Sequence, residues 1–398
     1  MNLPYLFVFL VLPIFVAQTS YAACGGTTRT WSSSAKNTRW DSNSNWVPAN
    51  QPNTTSEDAV IVSSNRVAEL RNTISIGCME VQSGQFISRN SLTLTITGDY
   101  LRAINSNTLI VNDVDDAFWF ELAGTSAQTI EIVDPIQNLR ISNNSTVTLT
   151  QPFTIDREFI LTGTTTQLYI DANLTLDNEV TTPLTIPSGV TVELRGGATL
   201  FSKRNIIVNG SLVIGAGSSI VFDNGFSLTV NSGGTLDMDG ASGSVATITS
   251  SGSGSSYGFN MAGLMNANYF RIDRLNATGL NVTGNVQSMD NGEFHYLANS
   301  GAAITIGASA SMPSVLDSVG FFDDDAYGNV TNVNASSYNG SALSFENWSG
   351  GIAGTAYEND PNGVINWSGQ SSTYLYLSDN TESGNPPATV LQSSTDIL

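Results

Sequence analysis

Leu184-Thr185-Ile186 returns as Ile206-Ile207-Val208 and again as Leu228-Thr229-Val230, with the starts of the segments 22 residues apart. A second set has the same spacing of 22 residues: Leu168-Tyr169-Ile170, Val190-Thr191-Val192 and Leu212-Val213-Ile214. Side chains alternate between the two faces of a β-strand, so the aliphatic residues of each triplet point to one side and the central residue points to the other. Interleaved sets with one period are typical of a coiled sheet, in which each turn lies on the turn before it.

The same pattern begins earlier in the chain. Two pairs of apolar triplets are each spaced by 21 residues: Leu109-Ile110-Val111 with Ile130-Glu131-Ile132, and Phe118-Trp119-Phe120 with Leu139-Arg140-Ile141. Asn-, Gly- and Ser-rich corners such as Asn209-Gly210-Ser211 separate the short strands, and no sustained 3.6-residue period favours helix. We therefore predict an all-β protein, a single-stranded, right-handed parallel β-helix (β-solenoid) with three faces.

The repeat and its flanks predict four regions. Residues 1–22 are a signal peptide, 23–59 an N-terminal cap segment, 60–350 the parallel β-helix, and 351–398 a closing segment with a flexible tail. The β-helix would hold roughly 13 turns and be on the order of 60 Å long, at ~4.8 Å a turn. The Ser- and Gly-rich stretch from Ser250 to Ser256 is either a loop at one corner or a join between two solenoid segments.

The N-terminus has the pattern of an export signal. An apolar run from Leu6 to Ala17 is followed by Ser20-Tyr21-Ala22, which offers small residues at the two positions that a signal peptidase recognises. Cleavage as a lipoprotein before Cys24 is the alternative, although Tyr21 fits that pattern poorly. We expect a secreted or cell-surface protein with bacterial-type export and no membrane-spanning segment in the mature chain.

Cys24 and Cys78 are the two cysteines of the chain. An even number of cysteines in an oxidising compartment favours a disulfide bond between them, which would tie down the start of the solenoid. Two unpaired thiols are the alternative.

Charge limits the partners. The net charge is −20, with 14 basic against 34 acidic residues, which argues against nucleic acid and anionic membrane surfaces. Only 12% of the residues are charged, so the surface is mainly hydroxyl and amide. Such a surface is compatible with carbohydrate or divalent cations as ligands.

Tryptophans and prolines mark the N-terminal flank, in the stretch from Trp31 through Trp40-Asp41 and Asn45-Trp46-Val47-Pro48 to Asp58-Ala59-Val60-Ile61. This stretch resembles the opening of bacterial secreted β-helix surface proteins of the autotransporter-passenger and adhesin types. The segment from Ala356 to Trp367 resembles a closing segment of such proteins. The resemblance implies surface exposure and a structural or adhesive role, and it carries no catalytic residues. Physically, three tryptophans can plug the open end of a solenoid, or they can form a platform on which sugars stack.

His295 is the only histidine, in Glu293-Phe294-His295 on a predicted strand. With Glu293 it is a candidate general base, although a single histidine on a strand is more often an ordinary packed residue. Aspartates cluster at Asp323-Asp324-Asp325, where Asp323 and Asp324 are candidate catalytic acids of a glycosidase.

A second cluster of aspartates is a candidate Ca²⁺ site, formed by Asp113, Asp115 and Asp116. Neither aspartate cluster has the spacing of a defined calcium loop, and a solvated turn is the plainer interpretation of both. No other cofactor is predicted.

Pectin-degrading hydrolases with a β-helix carry a Gly-His-Gly and an Arg-x-Lys motif, and this chain has neither. The leading hypothesis is a non-catalytic surface protein that presents a rigid rod to glycan or protein partners. The alternatives are a polysaccharide-acting enzyme, either a glycoside hydrolase or a lyase of the pectate-lyase-like fold, and a filament subunit that self-associates end to end.

Overall fold

Each turn of the chain adds strands to the sides of a three-sided coil. The computed structural model describes residues 24–370, apart from residues 33, 63–66, 89–90, 111–117, 163–165, 178, 180–181 and 326–328. The described chain is a parallel β-solenoid of about 13 turns, so the predicted fold is confirmed. Within the same residues, the helical segments are two short 3-10 helices, Asn43–Asn45 and Thr355–Tyr357.

One side of the rod is a 13-stranded sheet. Its strands, in spatial order, are Trp46–Val47, Thr27–Trp31, Glu57–Ile61, Met79–Val81, Tyr100–Ala103, Gln128–Ile132, Thr146–Leu149, Gln167–Ile170, Thr191–Leu194, Ser211–Gly215, Thr235–Asp239, Leu264–Asn268 and Asn285–Asp290. The pairings within it are parallel except the first, in which Trp46–Val47 runs antiparallel to Thr27–Trp31.

The other sides are built from a 12-stranded sheet and three smaller sheets. The 12 strands are Ile74–Ile76, Thr93–Ile96, Trp119–Leu122, Ile136–Ile141, Phe153–Leu161, Leu174–Leu176, Thr199–Ser202, Ser219–Phe222, Ala246–Ser250, Phe270–Asp273, Gly292–His295 and Val319–Phe321. A seven-stranded sheet contains Leu184–Ile186, Ile206–Val208, Ser227–Val230, Tyr257–Met261, Leu275–Val282, Ala302–Ile306 and Thr331–Asn334. The two three-stranded sheets contain Ala68–Leu70, Phe86–Ser88 and Leu109–Ile110 at the N-terminal end, and Val315–Asp317, Leu343–Glu346 and Ile365–Ser368 at the C-terminal end.

Two long strands move the 12-stranded sheet from one side of the rod to the next. Trp119–Leu122 pairs with the second part of Ile136–Ile141, whereas Leu174–Leu176 pairs with the first three residues of Phe153–Leu161. The register between these two long strands shifts after Ile136, which indicates a β-bulge. The chain therefore rounds this corner without a loop.

The first set of triplets forms the predicted ladder. Leu184 pairs with Ile206, and Ile206 pairs with Leu228. The inward side chains of successive turns form one continuous apolar core from Trp31 to Ile365. The Ser250 to Ser256 stretch supplies the corner between the strands Ala246–Ser250 and Tyr257–Met261, so it is a loop within one solenoid.

The second set was assigned a register that is wrong by two residues in its middle member. Leu168 pairs with Val192 and Ile170 with Leu194, while Val190 precedes the strand. A slip of two keeps the same side chains on the inner face, which is why the apolar pattern alone did not reveal it.

The earlier pairs also differ from the prediction. Phe120 pairs with Leu139, again a slip of two residues. Leu109 pairs with Phe86 and Ile130 with Leu101, in two different sheets, so their predicted pairing is wrong.

The N-terminal end is closed by a buried tryptophan cluster. Trp31, Trp40 and Trp46 are 0–1% exposed, and the ring of Trp46 packs edge-on against Trp31 at 5.1 Å and Trp40 at 4.6 Å. The indole N–H of Trp40 donates to the carbonyl of Pro52 at 3.1 Å. The cap is confirmed, and buried rings cannot serve as a platform for sugar stacking.

Cys24 and Cys78 form a disulfide bond, with their Cα atoms 6.2 Å apart. The bond joins the first described residue to the start of the strand Met79–Val81. The predicted signal peptide lies outside the described residues. In the part of the chain that is described, no helix has the length and apolar character needed to cross a bilayer.

Glycines form a column where the seven-stranded sheet leads into the 13-stranded sheet. A Cβ on Gly263 would lie 2.2 Å from the carbonyl oxygen of Gly234, and one on Gly284 would lie 2.3 Å from that of Gly263. Because a real Cβ does not approach oxygen so closely, only glycine lets successive turns stack at this corner.

Candidate functional site

The solenoid brings three of the four candidate catalytic residues together at one corner. His295 ends the strand Gly292–His295, and Glu293 lies two residues before it on the same side of that strand. Asp324 follows the strand Val319–Phe321 of the next turn, which pairs directly with the histidine's strand. His295 Nδ1 lies 2.8 Å from Asp324 Oδ2, and its Nε2 lies 3.0 Å from Glu293 Oε2.

The imidazole is therefore held between two carboxylates. Burial lowers the pKa of His295, but the hydrogen bonds with Asp324 and Glu293 outweigh burial and raise the pKa to about 9. For Asp324, burial raises the pKa, whereas the hydrogen bond and the charge of His295 lower it to a net value below the ordinary one. At neutral pH the ring carries both protons and donates one to each carboxylate.

Neighbouring rings fix the orientation of the imidazole. The ring of Phe322 stacks on that of His295, with 4.5 Å between centroids and 9° between planes. The backbone N–H of Tyr296 donates to the same Asp324 oxygen as the histidine, at 3.3 Å. The guanidinium of Arg274 lies over the Tyr296 ring at 4.2 Å.

A buried ion pair lies one turn earlier on the same sheet. Arg271 Nε donates to both carboxylate oxygens of Asp273 at 2.9 Å. In register, Arg271 pairs with Glu293, and Asp273 pairs with His295. Each cation thus has a carboxylate beside it both within its own turn and in the next turn. Burial raises the pKa of Asp273, partly opposed by the charge of Arg271 and its hydrogen bond.

This arrangement sets what the cluster can do chemically. A general base needs an unprotonated nitrogen near the operating pH, and His295 has its two nitrogens engaged and its pKa near 9. The side chains of Glu293 and His295 are 5% and 14% exposed, and that of Asp324 is 33% exposed. The cluster suits a tie between adjacent turns, with one carboxylate facing solvent.

The remaining predicted site residues lie elsewhere. Asp323 is half-buried next to Asp324, and it is not a hydrogen-bond partner of the His295 ring, whose nitrogens contact Glu293 and Asp324. The Ca²⁺ candidates Asp113, Asp115 and Asp116 lie outside the described residues, so a calcium site there stays a prediction.

A second charged cluster was not predicted. Arg204 is 2% exposed, and its guanidinium donates to the carbonyls of Ile155 and Asp156 at 3.1 Å and to that of Asp177. Burial and the nearby carboxylates of Glu179 and Asp177 raise the pKa of Asp156 to about 6. Arg204 thereby ties three turns at the bulged corner. The sequence shows it only as one of few cations, because its acceptors are backbone carbonyls of earlier turns.

A polar cleft of about 480 Å³ lies near the N-terminal end of the rod. Its walls are corners of successive turns, and the side chains that line it carry amides and hydroxyls: Gln82, Ser83, Gln85, Asn105, Asn107 and Thr108. Amides and hydroxyls both donate and accept hydrogen bonds, so the cleft suits a neutral ligand rich in hydroxyl groups.

The fold and these sites define the class as a parallel β-solenoid with a tryptophan-capped end. Neither a family model, nor a curated protein, nor a solved structure matches this chain. A function is therefore argued from the chemistry of the sites.

Proposed function

We propose that the chain is a non-catalytic solenoid of the cell surface or the extracellular medium, which binds a glycan or protein partner along the side of its rod. Export rests on the signal pattern in residues 1–22. The single observation that carries the non-catalytic part is the engagement of both His295 nitrogens with carboxylates.

The polar cleft supports a glycan as partner. Neutral sugars are recognised by convergent amide and hydroxyl groups, and the cleft offers both on rigid corners of the solenoid. A net charge of −20 disfavours acidic polysaccharides, so neutral glycans fit this chain better.

The covered N-terminal end supports binding along the side rather than end to end. The antiparallel segment Trp46–Val47 covers the outer edge of Thr27–Trp31, and a bridge from Arg39 to Glu69 covers the strand Ala68–Leu70. Covered edges oppose the strand addition that a filament of stacked solenoids requires.

A glycan array and a pull-down from surface extracts test the proposal. We expect the chain to retain neutral glycans, with binding weakened in Gln82→Ala. Gln167→Ala is the matched control, since Gln167 lies on the first sheet and outside the cleft. Equal loss in both variants would exclude the cleft, and the absence of glycan and protein partners would contradict the proposal as a whole.

A polysaccharide-acting enzyme is the second candidate. The observation that favours it is the convergence of Glu293 and Asp324 on one histidine at a partly exposed corner. It predicts products from neutral or acidic polysaccharides that disappear in Asp324→Ala and persist in Asp325→Ala. Failure to release product from either class would leave the binding function.

A further inference from the structure

Two cysteines and an aspartate lie together under the N-terminal corner of the solenoid. Among the described residues, Cys24, Asp58 and Cys78 form a buried set whose Sγ and carboxylate oxygen atoms lie within 4.8 Å of one another. In the oxidised chain the two sulfur atoms are bonded to each other. Asp58 is 4% exposed, which is unusual for a carboxylate without a cationic partner.

The position of Asp58 is fixed by the backbone around it. Its Oδ1 accepts the N–H of Cys78 at 2.9 Å. Glycines form the walls of this space: a Cβ on Gly77 would lie 2.2 Å from Asp58 Oδ1, and one on Gly98 would lie 2.6 Å from Cys78 Sγ. The chain thus leaves room for a carboxylate and a sulfur atom where any larger residue would displace them.

The cluster also has access to a small cavity. A space of about 180 Å³ is bordered by Cys24, Ser56, Asp58 and Asp99. A hydrated cation is small enough to enter such a space, and a water molecule has room beside the three side chains.

We propose that reduction of the Cys24–Cys78 disulfide turns this cluster into a Zn²⁺ site, with two thiolates and the Asp58 carboxylate as ligands and water in the fourth position. Two thiolates and a carboxylate match the donor atoms that Zn²⁺ takes in proteins, and three protein ligands with one open position are a known arrangement. The cysteine Cα atoms are 6.2 Å apart, so both thiolates reach one ion at about 2.3 Å by side-chain rotation.

The chemistry balances with a dithiol as reductant. The dithiol supplies two electrons and two protons, the S–S bond breaks to give two thiols, and the dithiol itself becomes a disulfide. Zn²⁺ then displaces the two thiol protons to the solvent. The oxidised form lacks thiolates and holds no ion there.

Metal titration of the full chain tests the site. Protein reduced with a dithiol, then freed of it, is titrated with Zn²⁺ against a chromophoric chelator, and with Co²⁺ to detect the thiolate-to-metal absorption band. We expect one ion per reduced chain, and none for the oxidised chain. Asp58→Asn keeps the oxygen that accepts the Cys78 N–H and should weaken Zn²⁺ binding at least about tenfold.

Asp99→Asn is the matched control, because Asp99 borders the same cavity but is not one of the three clustered ligands. Its affinity should stay within about twofold of the unaltered chain. The proposal is overturned if the reduced chain binds no ion, if oxidised and reduced chains bind equally, or if Asp58→Asn binds as tightly as Asp99→Asn. The Co²⁺ band reports the thiolates directly, so a variant that misfolds is recognised by its circular dichroism and lost band.

Discussion

His295 Nδ1 lies 2.8 Å from a carboxylate oxygen of Asp324, a residue 29 positions later in the chain and one turn further along the solenoid. The other ring nitrogen lies 3.0 Å from Glu293 within the histidine's own strand. An imidazole between two carboxylates keeps both its protons, so its charge ties neighbouring turns together at neutral pH.

The protonation of His295 can be measured directly, because it is the only histidine of the chain. An NMR titration of the imidazole should give a midpoint near the pKa of about 9. Asp324→Asn removes an ionised acceptor and should lower that midpoint. Asp325→Asn, one residue further along the same loop, should leave it in place. A midpoint near 6.5 in the unaltered chain would contradict the geometry.

The same shift makes stability depend on pH. A pKa raised in the folded state means that the stabilisation is fully present below the unfolded pKa of about 6.5 and is lost as the pH rises through about 9. Its size is roughly 3 kcal/mol at most. Urea unfolding at several pH values should therefore show the unaltered chain more stable than His295→Gln at pH 6. We expect that difference to shrink by pH 10, and a constant difference would count against the charged histidine.

The sequence predicts the architecture better than the register. Leu184, Ile206 and Leu228 align as expected because the corners between them have equal length. Val190 misled the prediction, since it is buried just before its strand and mimics the inward residue Val192. A periodic apolar pattern fixes which side chains point inward, whereas corner length decides which of them pair.

The candidate site follows the same rule. Glu293 and His295 are neighbours on one strand, so their contact is visible from side-chain alternation. Asp324 joins them only because the loop and strands of one turn place it there, and a different corner length would move it away. The acceptors of Arg204 are backbone carbonyls, which leave no signal in the sequence.

The tryptophan cap should carry much of the stability of the N-terminal end. Trp46→Ala removes a buried ring that contacts two other tryptophans, and it should cost about 3–5 kcal/mol. Val47→Ala is the matched control, because the adjacent valine is 59% exposed and its loss should cost about 0.5 kcal/mol or less. Urea unfolding measures both. Similar small effects would show that the cluster does not close the core.

Arg204 should matter more than its neighbour. Arg204→Met leaves carbonyls of three earlier residues without their donor, at a cost of about 3 kcal/mol. Lys203 makes a more exposed ion pair with Asp177 at 3.1 Å, so Lys203→Met should cost less than about 1 kcal/mol. Comparing the unfolding free energies of the two variants checks the assignment. The opposite order would place the tie at the surface pair.

The glycine column sets how closely successive turns can stack. In Gly263→Ala the new Cβ would meet the carbonyl oxygen of Gly234 at 2.2 Å, so the turn must move and the cost should be about 2 kcal/mol or more. Gly252→Ala is the control, since a Cβ there meets nothing within 4 Å and should change stability by less than about 0.5 kcal/mol. Because the clash is with backbone, no side-chain rearrangement can relieve it. Equal thermal stability of the two variants would mean that the corner tolerates a wider spacing than the structure gives it.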